Sequence, residues 1–390
     1  MNIAWDNSVI HLSRQVDVTA TSGTSPIHGG VLHAIGSRSD AARLASVHTG
    51  LRARGVAQSV ALVTSADGGP VAVFDADDVP NSVALVGSQL DQDVRSTAHA
   101  LAVAEQMLQE QRPRLVLLGG DANGVLAFAL AASKLGIEIA RVGGGLRSGD
   151  FSQSEEINRL LGDRLADVLF TDGDQALDTL ESEGIGRDRV HDVGNTAVDL
   201  VRRWERSARQ AAAWQRFAVP AGGYVLATLH RTENIADELR ITQIADALAR
   251  LARRVPVVFP LHPVTRALLE SMGIVKQLAA VGVRVTEPLG YLDFLSLEQS
   301  AGAILTDSGG VQDEASALGV RCYTLRRTTE RLLTLTHGTN VLLGDDPWEI
   351  DGVRIDDAPI APAAIPLWDG RAGDRAAAAL SQRLSLELAS

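Results

Sequence analysis

A strand followed by a glycine turn and a helix is the first place in this sequence where chemistry is expected. A short apolar run ends at Thr306, helical spacing extends to Leu318, and between them stand four turn residues, Asp307, Ser308, Gly309 and Gly310. Such a turn aims free backbone N–H groups and the positive end of the helix dipole at one point, which suits a phosphate. Glu314, one turn inside the helix, could accept hydrogen bonds from a ribose diol. An ordinary strand-to-helix connection has the same local pattern, so the turn alone leaves both interpretations open.

Two further polar side chains stand directly after predicted buried strands. Asp121 follows the apolar run Leu115–Leu118, and His230 follows an apolar segment at 224–229. Parallel sheets bind ligands at the carboxyl ends of their strands, so both side chains are expected to face a cleft. For Asp121 the alternative role is an N-cap of the next helix, and both roles are compatible. A lone histidine is more often structural, but His230 precedes a turn and a helix and does not lie on an apolar face.

Composition limits the function classes. The chain has 390 residues, 45% of them hydrophobic and 22% charged, which is typical of a globular protein of two ordinary domains. The net charge of −12 argues against a nucleic-acid partner, which would need a basic face. No apolar run approaches the ~18–20 residues of a membrane span. The single cysteine, Cys322, fits a reducing compartment, and the N-terminus has no export signal, so a cytoplasmic protein is expected.

Alternating strand and helix patterns predict the domain organisation. Residues 1–30 form an extension or arm, and residues 31–219 contain about six strand–helix units of one doubly wound domain. Pro220 and the two glycines after Ala221 interrupt the pattern, which places the domain boundary there. Residues 220–365 then form a second, nucleotide-binding domain, and residues 366–390 a terminal helix that packs back on the first. No zinc spacing or ligand cluster is found, so neither a metal nor a cofactor is expected.

Three long motifs occur in the order that one known family has them. They are Thr-Asp-Ser-Gly-Gly-Val-Gln-Asp-Glu-Ala from Thr306, Leu-Arg-Arg-Thr-Thr-Glu-Arg from Leu325 and Gly-Thr-Asn-Val from Gly338. Together they resemble the UDP-N-acetylglucosamine 2-epimerase family, and the resemblance extends from about Gly36 to about Gly344. It implies an α/β fold of two Rossmann-like domains facing a central cleft, as in glycosyltransferase-B proteins, with the nucleotide sugar in that cleft.

The resemblance also assigns site residues. It implies that Asp121 and Glu155 are acid/base residues and that His230 acts on the nucleotide phosphates. Around them it implies a substrate-binding set of Arg38, Ser308, Gly309, Gly310, Glu314, Thr329 and Arg331. Arg38 follows Gly36 at the first strand end, where its guanidinium fork would suit a diphosphate. A surface arginine in a turn is the alternative for Arg38.

One departure from the family concerns the chemistry directly. The family reads His-Val-Glu-Ala-Gly-Leu-Arg where this chain reads Arg-Val-Gly-Gly-Gly-Leu-Arg from Arg141. The family's glutamate, thought to move a proton at the sugar, therefore falls on Gly143, which carries no acid or base. Glu156 and Asp150 are the candidates to replace it.

The resemblance implies epimerisation at C2 of UDP-N-acetylglucosamine to UDP-N-acetylmannosamine by elimination and re-addition of UDP. Two alternatives stay open, namely a hydrolysing epimerase that releases UDP and free N-acetylmannosamine, and a glycosyltransferase-like or non-catalytic nucleotide-sugar binder. A UDP-sugar is the expected partner, with no nucleic acid and no membrane, and the resemblance implies a homodimer.

Overall fold

The computed structural model describes residues 29–62, 82–84, 94–355, 361 and 364–386, and the strands of this part form two separate parallel sheets. The strands are β1 (Val31–Ile35), β2 (Gln58–Leu62), β3 (Ser82–Ala84), β4 (Leu115–Leu118), β5 (Glu138–Val142), β6 (Val168–Thr171), β7 (Val190–Asp192), β8 (Val225–Thr228), β9 (Val257–Pro260), β10 (Arg284–Thr286), β11 (Ala303–Thr306), β12 (Cys322–Thr324) and β13 (Asn340–Leu342). The expected arm at 1–30 lies outside the described residues except for Gly29 and Gly30.

Helices connect the strands in alternation. They are α1 (Arg38–Ala53), α2 (Val94–Gln111), α3 (Asn123–Leu135), α4 (Ser154–Leu165), α5 (Asp174–Ser182), α6 (Thr196–Ala211), α7 (Thr232–Ile235), α8 (Glu238–Ala252), α9 (Pro263–Ser271), α10 (Ile274–Ala280), α11 (Tyr291–Ser300), α12 (Gly309–Leu318), α13 (Leu332–Thr336) and α14 (Ala372–Leu386). Short 3-10 helices stand at Arg187–Arg189, Ala213–Phe217 and Pro347–Gly352.

The order of the strands explains where a ligand can bind. The first sheet runs β3-β2-β1-β4-β5-β6-β7 and the second β10-β9-β8-β11-β12-β13, with every pairing parallel. The central strands β4 and β11 are buried at every residue, as expected for apolar strands covered by helices on both faces. Chain order reverses between β1 and β4 and again between β8 and β11. These two switch points are where doubly wound sheets open a crevice for ligands.

The two sheets belong to Rossmann-like α/β units that meet at their switch points. Ser39 near the start of α1 approaches Gly310 near the start of α12, so that a Cβ at Gly310 would lie 3.3 Å from Ser39 Cβ. The predicted division at 219/220 falls between Asp192, where the first sheet ends, and Val225, where the second begins. The exact boundary stays a prediction. The 3-10 helix at Ala213–Phe217 lies before the predicted boundary but packs against α11, which belongs to the second unit.

The C-terminal helix α14 packs along α1 of the first unit. The contact is close because two glycines, Gly50 and Gly373, leave room for Ala377 and Ser46. The carboxylate of Asp199 accepts hydrogen bonds from the first N–H groups of α14, at Ala372 (3.1 Å) and Gly373 (2.7 Å). Such a bond satisfies donors that a helix start otherwise leaves unpaired. The end of the described chain is thereby held against the helix that begins at the β1 switch point.

Candidate functional site

Asp121 stands at the end of β4 and pairs with a buried arginine. Nη1 of Arg159, on α4, donates to Asp121 Oδ2, and Asn158 on the same helix donates to the Asp121 carbonyl at 2.8 Å. Arg159 is almost fully buried, whereas the Asp121 side chain keeps 26% of its surface exposed. The helix α4 therefore fixes the carboxylate while leaving it open to the cleft.

Several charges set the ionisation of Asp121. Burial favours its neutral form, but the guanidinium groups of Arg159 and Arg43 hold the pKa of Asp121 below its usual value. The carboxylate is consequently ionised at neutral pH and can accept a proton. Its neighbour Asp40 is buried against Gly120, leaving no room for a side chain there, and burial raises the pKa of Asp40.

The two glutamates of α4 have different surroundings. Glu156 is buried and accepts from Ser148 N (3.0 Å) and Oγ (3.1 Å), Gly149 N (2.8 Å), and Arg159 Nε (2.9 Å) and Nη2 (2.8 Å). Glu155 is half-buried and lines an open pocket between α4 and the turn after β8, with Thr232 opposite. Of the two, only Glu155 has a carboxylate open to this pocket. The acid/base role of Glu155 stays a prediction.

Gly143 and Arg141 stand at the end of β5, where the resemblance places a family acid and a family histidine. Gly143 has φ of 78°, a backbone conformation that glycine adopts far more readily than other residues. Arg141 is buried, and its Nε lies 2.8 Å from Asp163 while its Nη1 donates to the Gly120 carbonyl at 2.7 Å. Arg141 therefore braces the backbone that carries Asp121 and does not itself reach into the cleft.

Of the two candidate replacements for the missing acid, Glu156 is fully engaged by its hydrogen bonds. These bonds and the charge of Arg159 outweigh burial and hold the pKa of Glu156 below its usual value. Asp150 accepts from Ser152 N (3.1 Å) and Oγ (2.6 Å), which lowers its pKa too. Both carboxylates are used to order the loop before α4. Neither is arranged as a free acid at neutral pH.

The opposite wall is the turn after β8. His230 keeps 41% of its side chain exposed, and its Nδ1 lies 3.2 Å from Asp307 at the end of β11. Asp307 also accepts from the backbone N–H of His230 and of Arg231 and from Asn234, each at 3.0 Å. Although the carboxyl is buried, the charge of His230 and these hydrogen bonds lower the pKa of Asp307 to about 2. An ionised Asp307 thus ties the two strands of this switch point together and orients the His230 ring.

The turn before α12 lies at the junction of the two units. Ser308 is the N-cap residue, and Gly309 and Gly310 open the helix, as the sequence predicts for a phosphate site. The glycine at 309 is needed because a Cβ there would collide with the Glu330 carboxylate. Glu314 is buried one turn further along. The side chain of Arg38 lies outside the described residues, although its backbone begins α1.

Thr329 and Arg331 are buried within the second unit. Thr329 Oγ1 donates to Gln312 at 2.7 Å, and Arg331 Nε lies 3.3 Å from Asp313. Arg331 also reaches across the junction, with its Nη1 4.0 Å from Asp172 after β6. Their predicted contact with substrate stays a prediction. What the structure assigns to them is support of α12 and of the junction.

Four residues near the site were not predicted as site residues, namely Arg159, Arg231, Asp307 and Glu330. Asp307 and Glu330 nevertheless stand in the motifs from Thr306 and Leu325. Arg159 follows Glu156 by three residues, a spacing that signals a shared helix face. Arg231 donates to Gln153 across the cleft at 3.4 Å. No signal in the sequence gives that contact, because it depends on how the two units meet. The position of Glu330 against Gly309 was not predicted either.

Within the described ranges no group of three or more histidine, cysteine, aspartate or glutamate side chains is arranged to hold a metal ion. In the same ranges, no helix has the length and apolar character needed to cross a membrane.

The fold and the paired switch points define the chain as a glycosyltransferase-B-like protein of two Rossmann-like domains. Residues 72–381 match the family model of UDP-N-acetylglucosamine 2-epimerase. The chain is 39% identical over 270 residues to the UDP-N-acetylglucosamine 2-epimerase of Methanococcus maripaludis, a match that covers 68% of this chain and 73% of the relative. It belongs to the UDP-N-acetylglucosamine 2-epimerase family.

Two further relatives bear on the site. The chain is 42% identical over 256 residues to the UDP-2,3-diacetamido-2,3-dideoxy-D-glucuronate 2-epimerase of Pseudomonas aeruginosa, covering 64% of this chain and 68% of the relative. A crystal structure of the Methanocaldococcus jannaschii UDP-GlcNAc 2-epimerase in complex with UDP-GlcNAc and UDP is similar at a TM-score of 0.81. The sequence identity is 31%, and the match covers 90% of this chain and 99% of that one.

Proposed function

We propose that this chain interconverts UDP-N-acetylglucosamine and UDP-N-acetylmannosamine by removing and restoring the proton at C2 of the sugar. The observation that carries the proposal is the ionised, partly exposed Asp121 at one switch point, with His230 and the α12 N-terminus at the other. A family relative holds UDP-GlcNAc and UDP in its crystal structure.

The chemistry explains why both walls are needed. The C2 hydrogen of the sugar is not acidic, because no carbonyl is attached to that carbon. If the bond from C1 to the diphosphate loosens first, positive charge develops at C1 and acidifies C2. Stabilising the departing diphosphate is then the main task, and preorganised donors perform it best. His230 and the N–H groups of Gly309 and Gly310 are the donors we assign to it, together with Arg38. The N–H of Ser308 already donates to Thr306 Oγ1 at 3.0 Å.

Asp121 and Glu155 are the acid/base groups we assign to C2. Loss of the C2 proton leaves a glycal beside UDP, and protonation from the opposite face followed by re-addition of UDP gives the epimer. Two groups on opposite faces of the ring are therefore required. Glu156 and Asp150 are engaged in hydrogen bonds, so we assign no third carboxylate, and turnover slower than in relatives with the glutamate is expected.

The variant Asp121→Asn tests this assignment. It keeps the shape of the side chain but cannot accept the proton, so kcat is expected to fall by roughly 10²–10⁴-fold. The matched control Asp178→Asn, on the exposed face of α5, should leave kcat unchanged. Proton NMR of the products also separates UDP-N-acetylmannosamine from free N-acetylmannosamine, which a hydrolysing enzyme would release. Full activity of Asp121→Asn would remove this residue from the mechanism.

A second candidate substrate is a UDP-2,3-diacetamido-2,3-dideoxyglucuronate, for which one relative is named. Replacing the family's glutamate by Gly143 removes a carboxylate beside Arg43, whose Nη1 lies 4.0 Å from where a Cβ at Gly143 would be. A carboxylate on the sugar could restore the charge balance there. Comparing kcat/KM of the unsubstituted protein for the two nucleotide sugars decides between them. Arg43→Gln should lower kcat/KM for both, because Arg43 acts on Asp121, and should lower it further for the second substrate.

We also propose that the protein works in the cytoplasm as a homodimer. Cys322 as the single, buried cysteine fits a reducing compartment. Light scattering of the purified protein tests the dimer, and a monomer mass at micromolar concentration would contradict it.

A further inference from the structure

A small cavity of about 40 Å³ lies at the junction of the two domains. The first domain lines it with the loop after β5 and with residues from the end of β6 to α5, and the second with α12 and the segment around Arg331. The volume has room for roughly three water molecules. The domains approach closely beside it, since a Cβ at Gly173 would lie 3.1 Å from Leu333 Cδ1. Polar groups on its walls can therefore interact across the junction.

Two acidic side chains of this cavity come from different domains and contact the same guanidinium group. Asp172 follows β6 in the first domain, Asp313 lies on α12 in the second, and both are buried. Arg331 Nε lies 3.3 Å from Asp313 Oδ2, and Arg331 Nη1 lies 4.0 Å from Asp172 Oδ2. The contact of Arg331 with Asp172 joins the two domains.

Among the described residues of this cluster, acids outnumber the guanidinium groups that contact them. Arg331 Nε also lies 3.7 Å from Oε1 of Glu330, whose Oε2 accepts from Arg326 at 2.9 Å. Three carboxyl groups thus share two guanidinium groups. A buried carboxyl without a full counter-charge favours its protonated form. The two aspartates are therefore expected to hold one proton between them.

The environment of each aspartate agrees with this count. Burial raises the pKa of Asp172 to about 6, although the charge of Arg43 acts in the opposite direction. Burial, followed by the charge of Asp172, raises the pKa of Asp313 well above its usual value. The other groups that face the pair or line the cavity are Glu330, Asp192 from β7, Asn195 at the start of α6, and Arg147, which is engaged by Asp163 and Glu183.

We propose that Asp172 and Asp313 form a proton-operated latch between the two domains, which holds them together while the pair carries a proton and weakens when both carboxyl groups are ionised. With one proton, Arg331 balances the remaining negative charge and the walls of the cavity can stay in contact. With none, two like charges from facing domains share a buried space, and hydrating them requires the domains to part. The proposal rests on the proposed function for its ligand, a UDP group that both domains bind.

The direction of the pH effect follows from the raised pKa. Closure of the domains takes up a proton, so the contribution of Asp172 is complete below its ordinary pKa of 3.8 and is lost as the pH rises through about 6. Between pH 5 and pH 7 these two values weaken closure by up to about tenfold. Binding of UDP, which needs both domains, should weaken in the same interval.

The test is Asp172→Asn, which keeps the size of the side chain but does not titrate. Titration calorimetry with UDP gives the ratio of Kd at pH 7 to Kd at pH 5. This ratio should be about threefold to tenfold larger in the unsubstituted protein than in the variant. Ionisation of UDP and of His230 is common to both proteins and cancels. Asp313→Asn, in the other domain, should lower the ratio too, so the result does not depend on the folding of one variant.

Asp199→Asn is the matched control. Asp199 is a buried carboxyl of the first domain whose pKa is also raised to about 6, chiefly by burial. Its carboxylate accepts from the N–H groups of Ala372 and Gly373 at the start of α14 and does not line the cavity. This variant should keep the Kd ratio of the unsubstituted protein, although it loses a carboxyl that titrates in the same range.

Small-angle X-ray scattering tests the latch without a ligand. The radius of gyration of the unsubstituted protein should be smaller at pH 5 than at pH 7. Asp172→Asn should lose this difference and Asp199→Asn should keep it. The proposal is overturned if Asp172→Asn shows the pH dependence of the unsubstituted protein in either measurement. Failure of the proposed function is distinguishable, because a protein that does not bind UDP still allows the scattering to decide the role of Asp172.

Discussion

Two buried histidines make the first domain sensitive to acid. His33 in β1 is completely buried, and its ring centroid lies 5.2 Å from that of His48 on α1. Its Nε2 lies 2.8 Å from Oε1 of Gln58, an acceptor, so Nε2 carries the proton and Nδ1 does not. No acceptor for a second proton at Nδ1 is found among the described residues. The ring is therefore held neutral.

The size of the effect follows from the pKa. Burial, with the charge of His48 as a smaller cause, lowers the pKa of His33 from 6.5 to about 3. The stabilisation that comes from keeping the ring neutral is complete above about pH 6.5 and is lost as the pH falls toward 3. At pH 5, about 1.5 pH units below the unfolded pKa, protonation of His33 stabilises the unfolded chain but not the folded protein. At 1.36 kcal/mol per pH unit, the free energy of unfolding falls by ~2 kcal/mol.

The perturbation is His33→Gln, whose side-chain amide keeps a donor for Gln58 and does not titrate. Urea unfolding at pH 7 and pH 5 should show the unsubstituted protein losing ~2 kcal/mol more stability than the variant over this interval. Comparing the two proteins cancels the carboxyl groups, such as Asp199, whose pKa burial raises to about 6 and which act in the opposite direction.

The control is His337→Gln, because His337 is exposed. In this variant, the free energy of unfolding should change between pH 7 and pH 5 by the same amount as in the unsubstituted protein. The reasoning is refuted if His33→Gln shows the same loss of stability between the two pH values as the unsubstituted protein.

Two further predictions concern the walls of the cleft. Arg159→Lys keeps the charge but loses the guanidinium fork that joins Glu156 to Asp121, so kcat/KM should fall by ~10²-fold in steady-state assays; an equal fall in the exposed control Arg164→Lys would contradict this. Asp307→Asn should lower the free energy of unfolding at pH 7 by about 2 kcal/mol, because the pKa of Asp307 is held at about 2. That contribution is present above pH ~4 and lost as the pH falls through 2. A difference in the free energy of unfolding between Asp307→Asn and the unsubstituted protein that persists unchanged below pH 2 would contradict this prediction.

The central strands could be predicted from the sequence because burial on both faces leaves them continuously apolar. The apolar run Leu115–Leu118 has the bounds of β4, the run that ends at Thr306 is β11, and α12 ends at Leu318 as the helical spacing predicts. The short elements were missed. Ser82–Ala84, Asn340–Leu342 and Leu332–Thr336 are too short for periodicity to separate from loops. The helices Pro263–Ser271 and Ile274–Ala280 were also missed, although Pro263 at a helix start and Gly273 between them were available signals.

The sequence predicts the residues at the strand ends but not the side chains that contact them. Asp121, His230 and Ser308 could be found because strand ends of a parallel sheet converge on one edge. Their partners could not, because the pairing of Asp121 with Arg159 joins residues 38 positions apart. Glu330 lies against Gly309, a contact between residues distant in sequence that no local pattern encodes. The loss of the family glutamate at Gly143 was visible in the sequence, but the engagement of Glu156 by Arg159 and by the loop at Ser148 was not.

The most direct measurement of the proposed reaction is a proton NMR time course with UDP-N-acetylglucosamine in heavy water. Elimination and re-addition through Asp121 and Glu155 predict that the C2 proton signal disappears and that deuterium enters C2 of both the substrate and UDP-N-acetylmannosamine. A C2 proton that stays in place while the sugar is transferred, hydrolysed or merely bound would contradict the proposed mechanism.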